Sequence, residues 1–302
     1  MIERKKKYII EKKLAGGKIM EIINPENSVW SLEIINKIPA DRKFKVALFD
    51  FDGTLSLIRE GWQEIMIPYF IEEFCEALPG HTETDTEILE LITDFVDELT
   101  GKQTIFQCMQ LGIEIEKRGG TAKDAMEYKN EYLRRLFLKI ESKREGLANG
   151  TIDPVSLLVK GTIAFLESLQ NEGIEIFCAS GTDEPQVIEE ATLLGLKKYF
   201  GNNIFGALDE HAQQCSKELV IKRLLEENNI KGEELLSFGD GFVEIELVKN
   251  VGGYAIAVAT DEKTQCGVNE YKRARLLKAG ADAVIPDFNN TQKLINHIFN
   301  YN

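Results

Sequence analysis

Two aspartates one residue apart close the hydrophobic run in "KVALFDFDGTLS", Lys45 to Ser56. Asp50 and Asp52 flank Phe51, so in an extended chain their carboxylates share a face. Like charges that close raise the pKa of one partner unless a cation or a chemical task holds both ionised. A surface Asp-Gly turn accounts for the same letters, so the pair alone leaves a turn and a site open. Comparable groups recur downstream. "IEIFCASGTDEP" carries an apolar run into Ser180, Gly181 and Thr182, and Asp183, Glu184 and Pro185 then signal a helix. A hydroxyl and free N–H groups at a helix N-terminus suit a phosphate. "ELLSFGDGFVE" carries another run into Asp240, with Glu244 four residues on. Singly these are an N-cap, a turn or a solvated acid; together, each ends an apolar run.

The elements that must position them follow from the pattern. After about residue 160, the runs "IEIFCAS", "ELLSFGDG", "YAIAVAT" and "ADAVIPDF" are separated by segments of helical period. Runs too hydrophobic to alternate suit parallel strands covered on both faces. With "KVALFDF" as the first strand, the expectation is an α/β fold, a doubly wound parallel sheet. Ligands of such sheets sit at the carboxyl ends of the strands, where all three groups of acids and hydroxyls fall. The segment Ser216 to Asn229 reads as a helix, with Leu219, Val220 and Leu224 toward the core.

Residues 61–154 read differently, with no strand-like run. Trp62, Ile65, Met66, Tyr69, Phe70 and Phe74, then Ile88, Leu91, Ile92, Phe95, Val96 and Leu99, then Ala125, Tyr128, Tyr132, Leu136 and Ile140 keep helical spacing. These stripes are expected to be ordinary core, Trp62 included, in an all-helical insert of four helices. The expected division is a lead segment 1–44, an α/β core of 45–60 and 155–302, and the insert 61–154. In the lead segment Ser28 could cap a short helix bearing Trp30, Ile34, Ile35 and Ile38, and the lysine-rich start reads as a solvated helix face.

The chain has 302 residues, 43% of them hydrophobic, with a net charge of −14. That composition supports a sizeable core. The acidic balance argues against nucleic acid and anionic membranes as partners, since both need a basic face. No apolar run approaches the ~18 residues of a membrane span, and the charged N-terminus is unlike a signal peptide. Cys75, Cys108, Cys178, Cys215 and Cys266 are scattered without a CxxC, so a cytoplasmic location is expected. His81, His211 and His297 are dispersed and expected to be idle.

With "DFDGT" at Asp50–Thr54, "SGT" at Ser180, a lysine ahead of the last acidic motif, and "GDGFVE", the sequence resembles the haloacid dehalogenase (HAD) superfamily of phosphohydrolases. The likeness covers roughly 44–60 and 155–300, and the helical insert falls where that family's C1-type caps sit. It implies a Rossmann-like core and a Mg²⁺-dependent phosphatase of a small phosphorylated metabolite, with a sugar phosphate favoured. A phosphomutase, or an idle sensor of a phosphorylated ligand, are the alternatives; monomer and dimer both remain open. The resemblance implies that Asp50 is the nucleophile and Asp52 the acid and base. It also implies that Asp50, the Asp52 carbonyl and Asp240 bind the metal, with Glu244 direct or through water. Thr54, Ser180, Gly181 and Lys217 would hold the phosphoryl group, Gly53 letting the backbone approach it. Lys217 is preferred to Lys222 because it starts its helix, nearer the strand ends. Within the insert, "LTGKQTIFQ" makes Lys102 and Gln103 candidate substrate contacts, as well as a helix start; Arg59, just after the Asp motif, is a further candidate.

Overall fold

The computed structural model describes residues 8–14, 17–23, 30–208, 216–227 and 229–301. Tyr8–Leu14 (β1) and Gly17–Ile23 (β2) form an antiparallel hairpin. Glu33–Ile34 (β3) precedes Val46–Phe49 (β4), after which the chain leaves for four helices: Gln63–Ala77 (α1), Asp85–Glu98 (α2), Thr104–Lys117 (α3) and Ala125–Ala148 (α4). Thr162–Asn171 (α5), Glu175–Asp183 (β5), Glu184–Leu193 (α6), Lys197–Phe200 (α7) and Ile204–Ala207 (β6) follow. Ser216–Glu227 (α8), Leu235–Gly239 (β7), Phe242–Asn250 (α9), Tyr254–Val258 (β8), Glu270–Lys278 (α10), Ala283–Ile285 (β9) and Thr291–Phe299 (α11) complete the order.

Among the described residues, seven strands make one sheet in the order β3-β9-β8-β7-β4-β5-β6. All neighbours are parallel except β3, which is antiparallel to β9. From β4 the chain winds outward through β5 and β6, then returns to the other side of β4 for β7, β8 and β9. The strand ends at β4 and β7 therefore lie at the topological switch point, where open α/β sheets bind ligands.

Successive strand residues go to different cores, as period-two geometry requires. Ala47, Phe49, Ile176, Cys178, Leu236, Phe238, Ile256 and Val258 join one cluster, with α5 and α11 packed on it. Val46, Leu48, Phe177, Ala179, Leu235, Ala255 and Ala257 join the other, covered by Val220, Ile221 and Leu224 of α8 and Ile245 and Val248 of α9. Phe49 stacks on Phe238 at 4.7 Å between centroids, directly beneath Asp50 and Asp240. Full burial of each phenyl ring contributes about 1.5–3 kcal/mol. The carboxylates above thus follow closely on a packed aromatic pair of the sheet.

The helical stripes of the insert pack as their spacing predicts. Met66, Tyr69, Phe70 and Phe74, then Ile88, Ile92, Phe95 and Val96, then Tyr128, Tyr132, Leu136 and Ile140 are buried. A capping box of Thr84 and Glu87 starts α2. The two ends of the insert are clasped together: Leu57 N–H donates to Leu157 O (2.8 Å) and Val159 N–H to Leu55 O (3.0 Å).

Three features differ from the sequence-based expectations. The stretch 30–38 forms no helix: Ile34 is on β3, Trp30 Nε1 donates to Asp287 O (3.0 Å), and Tyr254 Oη donates to Asn36 O (2.7 Å). Its apolar residues answer to the sheet edge, and Ile34 and Ile35 stay exposed. Beyond the first seven residues the lysine-rich start is the β1–β2 hairpin, not a helix. β6 had no expected counterpart: it is a four-residue edge strand containing Gly206, too short to register as an apolar run. Ser28, His211 and Cys215 lie outside the described residues.

Candidate active site

The site begins where β4 stops. Asp50 N–H still donates to Phe238 O (2.9 Å), so the first carboxylate leaves from main chain that the sheet holds in place. The chain then turns sharply, with Leu55 and Ser56 N–H both donating to Phe51 O. Gly53 makes this possible: its φ is +76°, and a Cβ there would stand 2.3 Å from Asp240 Oδ2. The close approach that demands glycine is thus that of the Asp240 carboxylate.

The two aspartates of the opening pair have different surroundings. Asp50 Oδ1 lies 2.8 Å from Lys217 Nζ, which also pairs with Glu244 at 3.0 Å. Asp52 Oδ2 accepts from the Thr182 hydroxyl (2.7 Å) and the Ser180 hydroxyl (3.4 Å). Asp52 Oδ1 is 3.8 Å from Arg59 Nε and has no hydrogen-bond partner among the described residues. Burial pushes Asp50 well above the usual carboxylate range; Lys217 opposes the shift, while Glu244 and Asp240 add to it. Burial also raises Asp52, against the pull of Arg59 and with Glu190 adding to it. Burial works against charge on Lys217, yet Asp50 and Glu244 hold its pKa above the ordinary lysine value.

Asp50, Asp240 and Glu244 can each offer a carboxylate oxygen within 4.8 Å of the others. Three hard oxygen donors converging at a buried spot fit a magnesium-type cation. The same acids add to the effect of burial on Asp50, so a cation among them relieves a repulsion the fold otherwise carries. Each acid is oriented from outside the cluster. Asp240 accepts from Lys272 Nζ (2.6 Å) and from the Thr54 hydroxyl (3.4 Å), and Lys272 pairs in turn with Glu262. Glu244 caps α9 through the Gly241 N–H.

The insert supplies the opposite wall. The cleft over the strand ends is lined by Asp50, Asp52, Ser180, Gly181, Thr182, Lys217 and Asp240 below, and by Trp62, Met66, Thr100, Gly101, Lys102, Thr104, Gln107 and Tyr132 from the insert. Arg59 lines it too. The Gly101–Gln103 turn is seated hard on this floor: a Cβ on Gly181 would meet Lys102 O at 2.4 Å, and one on Gly101 would meet Glu244 Oε2 at 2.4 Å.

The structure brings together Asp50, Asp52, Ser180, Gly181, Lys217, Asp240 and Lys102, and leaves exposed Lys222 on the far side of α8. Thr54 is fully buried and turned to Asp240, outside the cleft lining. The Gln103 side chain is buried, its Oε1 without a hydrogen-bond partner among the described residues, and is also outside the lining. Arg59 is only 6% exposed and grips the fully buried Glu190 through Nε and Nη2, the latter at 2.7 Å. Its guanidinium is largely committed to α6. Trp62 and Tyr132 belong to the core stripes and to the cleft wall at once. Sequence reasoning missed Thr182, although it stands in the quoted "SGT", and Lys272, Glu262 and Glu190, which carry no local signal. It also missed the buried Lys129 of α4, which reaches Asp183 at 2.7 Å.

The sequence pattern of the haloacid dehalogenase-like hydrolases matches residues 44–252, which spans the strand ends, the insert and the acid cluster. The chain belongs to that family. No curated protein matches this haloacid dehalogenase-like hydrolase. Solved structures share its fold. A conserved haloacid dehalogenase-like protein of unknown function from Agrobacterium tumefaciens is 17% identical, covering 83% of this chain and 97% of its own, with a TM-score of 0.53. A predicted phosphatase from Clostridium acetobutylicum is 19% identical, over 84% and 99%, with a TM-score of 0.54. A CbbY variant from Rhodobacter sphaeroides, in complex with xylulose-(1,5)bisphosphate, is 17% identical over 82% and 95%, with a TM-score of 0.51. Among the described residues no helix of this hydrolase is long and apolar enough to cross a membrane.

Proposed function

We propose that this hydrolase is a Mg²⁺-dependent phosphatase of a small phosphorylated metabolite, with the four-helix insert serving as its cap. The observation that carries the reading is the unlike environment of the two neighbouring aspartates. Asp50 has a lysine on it and two further acids beside it; Asp52 points away, to hydroxyls and Arg59. Two carboxylates with unlike partners, one beside a lysine and an acid cluster and one beside hydroxyls and a guanidinium, suit a nucleophile and a proton carrier.

An Asp50 oxygen attacks phosphorus in line, the ester P–O bond breaks, and Asp52 gives its proton to the leaving oxygen. Burial keeps Asp52 protonated at higher pH than a solvated aspartate, as that step requires. Asp52 then takes a proton from water as the water oxygen attacks phosphorus, and the bond to Asp50 breaks. Ser180, the Gly181 amide and Lys217 hold the phosphoryl oxygens, Lys217 also favouring the ionised form of Asp50. Mg²⁺, held by Asp50, Asp240 and Glu244 with the Asp52 carbonyl, would supply the positive charge that the developing phosphoryl anion needs.

The insert residues Lys102, Thr104, Gln107 and Tyr132 would meet the remainder of the substrate. A cation and several hydrogen-bonding groups suit a polar body such as a phosphorylated sugar, and the ligand of the CbbY variant is of that kind. The net charge of −14 disfavours nucleic acid as a partner. Buried thiols at Cys108 and Cys178 are at home in a reducing cytoplasm.

The test is phosphate release from a panel of phosphorylated sugars, short acids and nucleotides in Mg²⁺ buffer, with Asp50→Asn as the control. Asp50→Asn is expected to lose essentially all turnover while melting like the parent. More than a few per cent residual rate would overturn the covalent route, because enzymes supply accelerations of about a millionfold and more. Conversion of a sugar phosphate to its isomer, without release, would assign a phosphomutase instead.

A further inference from the structure

The Gly101–Gln103 turn must be held on the strand ends by something, and α2 is what it hangs from. Thr100 N–H donates to Asp97 O (3.1 Å), Lys102 N–H to Leu99 O (3.0 Å), and the Thr100 hydroxyl to Val96 O (2.9 Å). The last turn of α2 is in turn gripped from the α/β core. The Tyr271 hydroxyl donates to Asp97 Oδ2, Arg275 Nη2 donates to Asp97 O, and Arg275 Nη1 stands 3.7 Å from Oδ1. Gln63 of α1 donates to Oδ1 at 2.8 Å, so the carboxylate is fully engaged at 7% exposure. Tyr271 and Arg275 lie on one face of α10, four residues apart. The register of that helix is tied to the site by the next residue, Lys272, through its bond to Asp240.

What lies beneath the turn is nearly closed to solvent. Asp50 is 8% exposed, Ser180 1% and Lys217 2%. The turn has no slack against Gly181 or Glu244. The cleft that reaches Asp50 and Ser180 is bounded on the insert side by this turn, so its width there depends on where Thr100, Gly101 and Lys102 are held.

We propose that Asp97, held by Tyr271 and Arg275, is a positioning group that keeps the Thr100–Gln103 turn, and with it the insert side of the cleft, in place over the strand ends. Tyr271 is 60% exposed, so the grip can be broken without opening a core. On the other flank of the insert, Lys129–Asp183 and Arg144–Glu189 (2.6 Å) tie α4 to α6. Neither tie involves α2, so they serve as a control for the α10 grip.

The experiment uses the full chain carrying Tyr271→Phe, Arg275→Ala or both. Hydrogen–deuterium exchange of the amides at 99–104, without ligand, is expected to speed up about tenfold in the double variant, the scale of one lost charge-assisted hydrogen bond. Exchange in β7 and β8 should stay at the parental rate, and Arg144→Ala should leave 99–104 unchanged. The kinetic arm rests on the phosphatase reading. With p-nitrophenyl phosphate, KM is expected to rise about threefold or more without a fall in kcat. Parental exchange at 99–104 in the double variant overturns the proposal, as does a fall in kcat at constant KM, which marks a merely structural contact. Should the double variant not fold, Tyr271→Phe alone, losing one hydroxyl, must still speed exchange at 99–104. A parent inert toward every phosphate ester would sink the phosphatase reading and leave the exchange result to decide this one.

Discussion

Gly53→Ala is the substitution in which one added carbon should tell most about the acid cluster. At φ +76° an L side chain pays for the left-handed backbone, about 1–2 kcal/mol. The new Cβ would also stand 2.3 Å from Asp240 Oδ2, so that oxygen must retreat by roughly an ångström to reach an ordinary contact. It cannot do so freely, because Lys272 Nζ holds the same oxygen at 2.6 Å and the Thr54 hydroxyl approaches the other. The backbone term alone lowers the melting temperature by about 2–8 °C, at 2–4 °C per kcal/mol for a domain of this size. The displacement should cost more in function, since an ångström of misplacement at a reacting centre is worth about a hundredfold in rate. The assay is kcat/KM with p-nitrophenyl phosphate, alongside calorimetric titration with Mg²⁺. A variant within twofold of the parent in both would refute the reasoning, showing that Asp240 either moves without consequence or has no part in the site.

Two further outcomes follow from the same geometry. Chelation with EDTA should silence phosphate release and added Mg²⁺ restore it, while Ca²⁺, with its longer and looser coordination, should restore little; full activity after exhaustive chelation would contradict the role given to the three acids. Lys102→Ala should raise KM for the physiological ester by several-fold and leave p-nitrophenyl phosphate nearly unaffected, because Lys102 lines the insert side of the cleft; an unchanged ranking of substrates would reduce the turn to a helix start.

The residues at the strand ends were legible because each motif terminates a run that only a buried parallel strand explains. Asp50, Ser180 and Asp240 needed no knowledge of contacts, only the rule that such sheets put their ligands at one edge. Lys217 was separable from Lys222 because five residues on a helix reverse the face. The groups that orient the acids were not legible. Lys272 meets Asp240 across 32 positions and Glu190 meets Arg59 across 131, and neither pairing leaves a trace in local periodicity. Arg59 is a further candidate from its place after the Asp motif alone, and the acid that engages it lies far down the chain. At 30–38 the apolar spacing suits a helix turn and a short edge strand alike, and pairing with β9 decided between them. Tyr132 shows a different limit, since one side chain can serve a core stripe and a cleft wall together.

The clasp between 55–57 and 157–159 bears on how the chain assembles. β4 is an interior strand, yet its partner in β5 stands far along the chain, as in Val46 with Glu175. Were the intervening segment a random coil, closing so long a loop would add to the entropic barrier before any pairing could repay it. The four helices pack on one another through their own buried stripes, and their two ends emerge side by side. Folded first, the insert turns a distant pairing into a local one, and acts as a splint for the β4–β5 joint. It also makes the segment a cassette: to the sheet, anything that presents its ends at the width of one strand pair is equivalent.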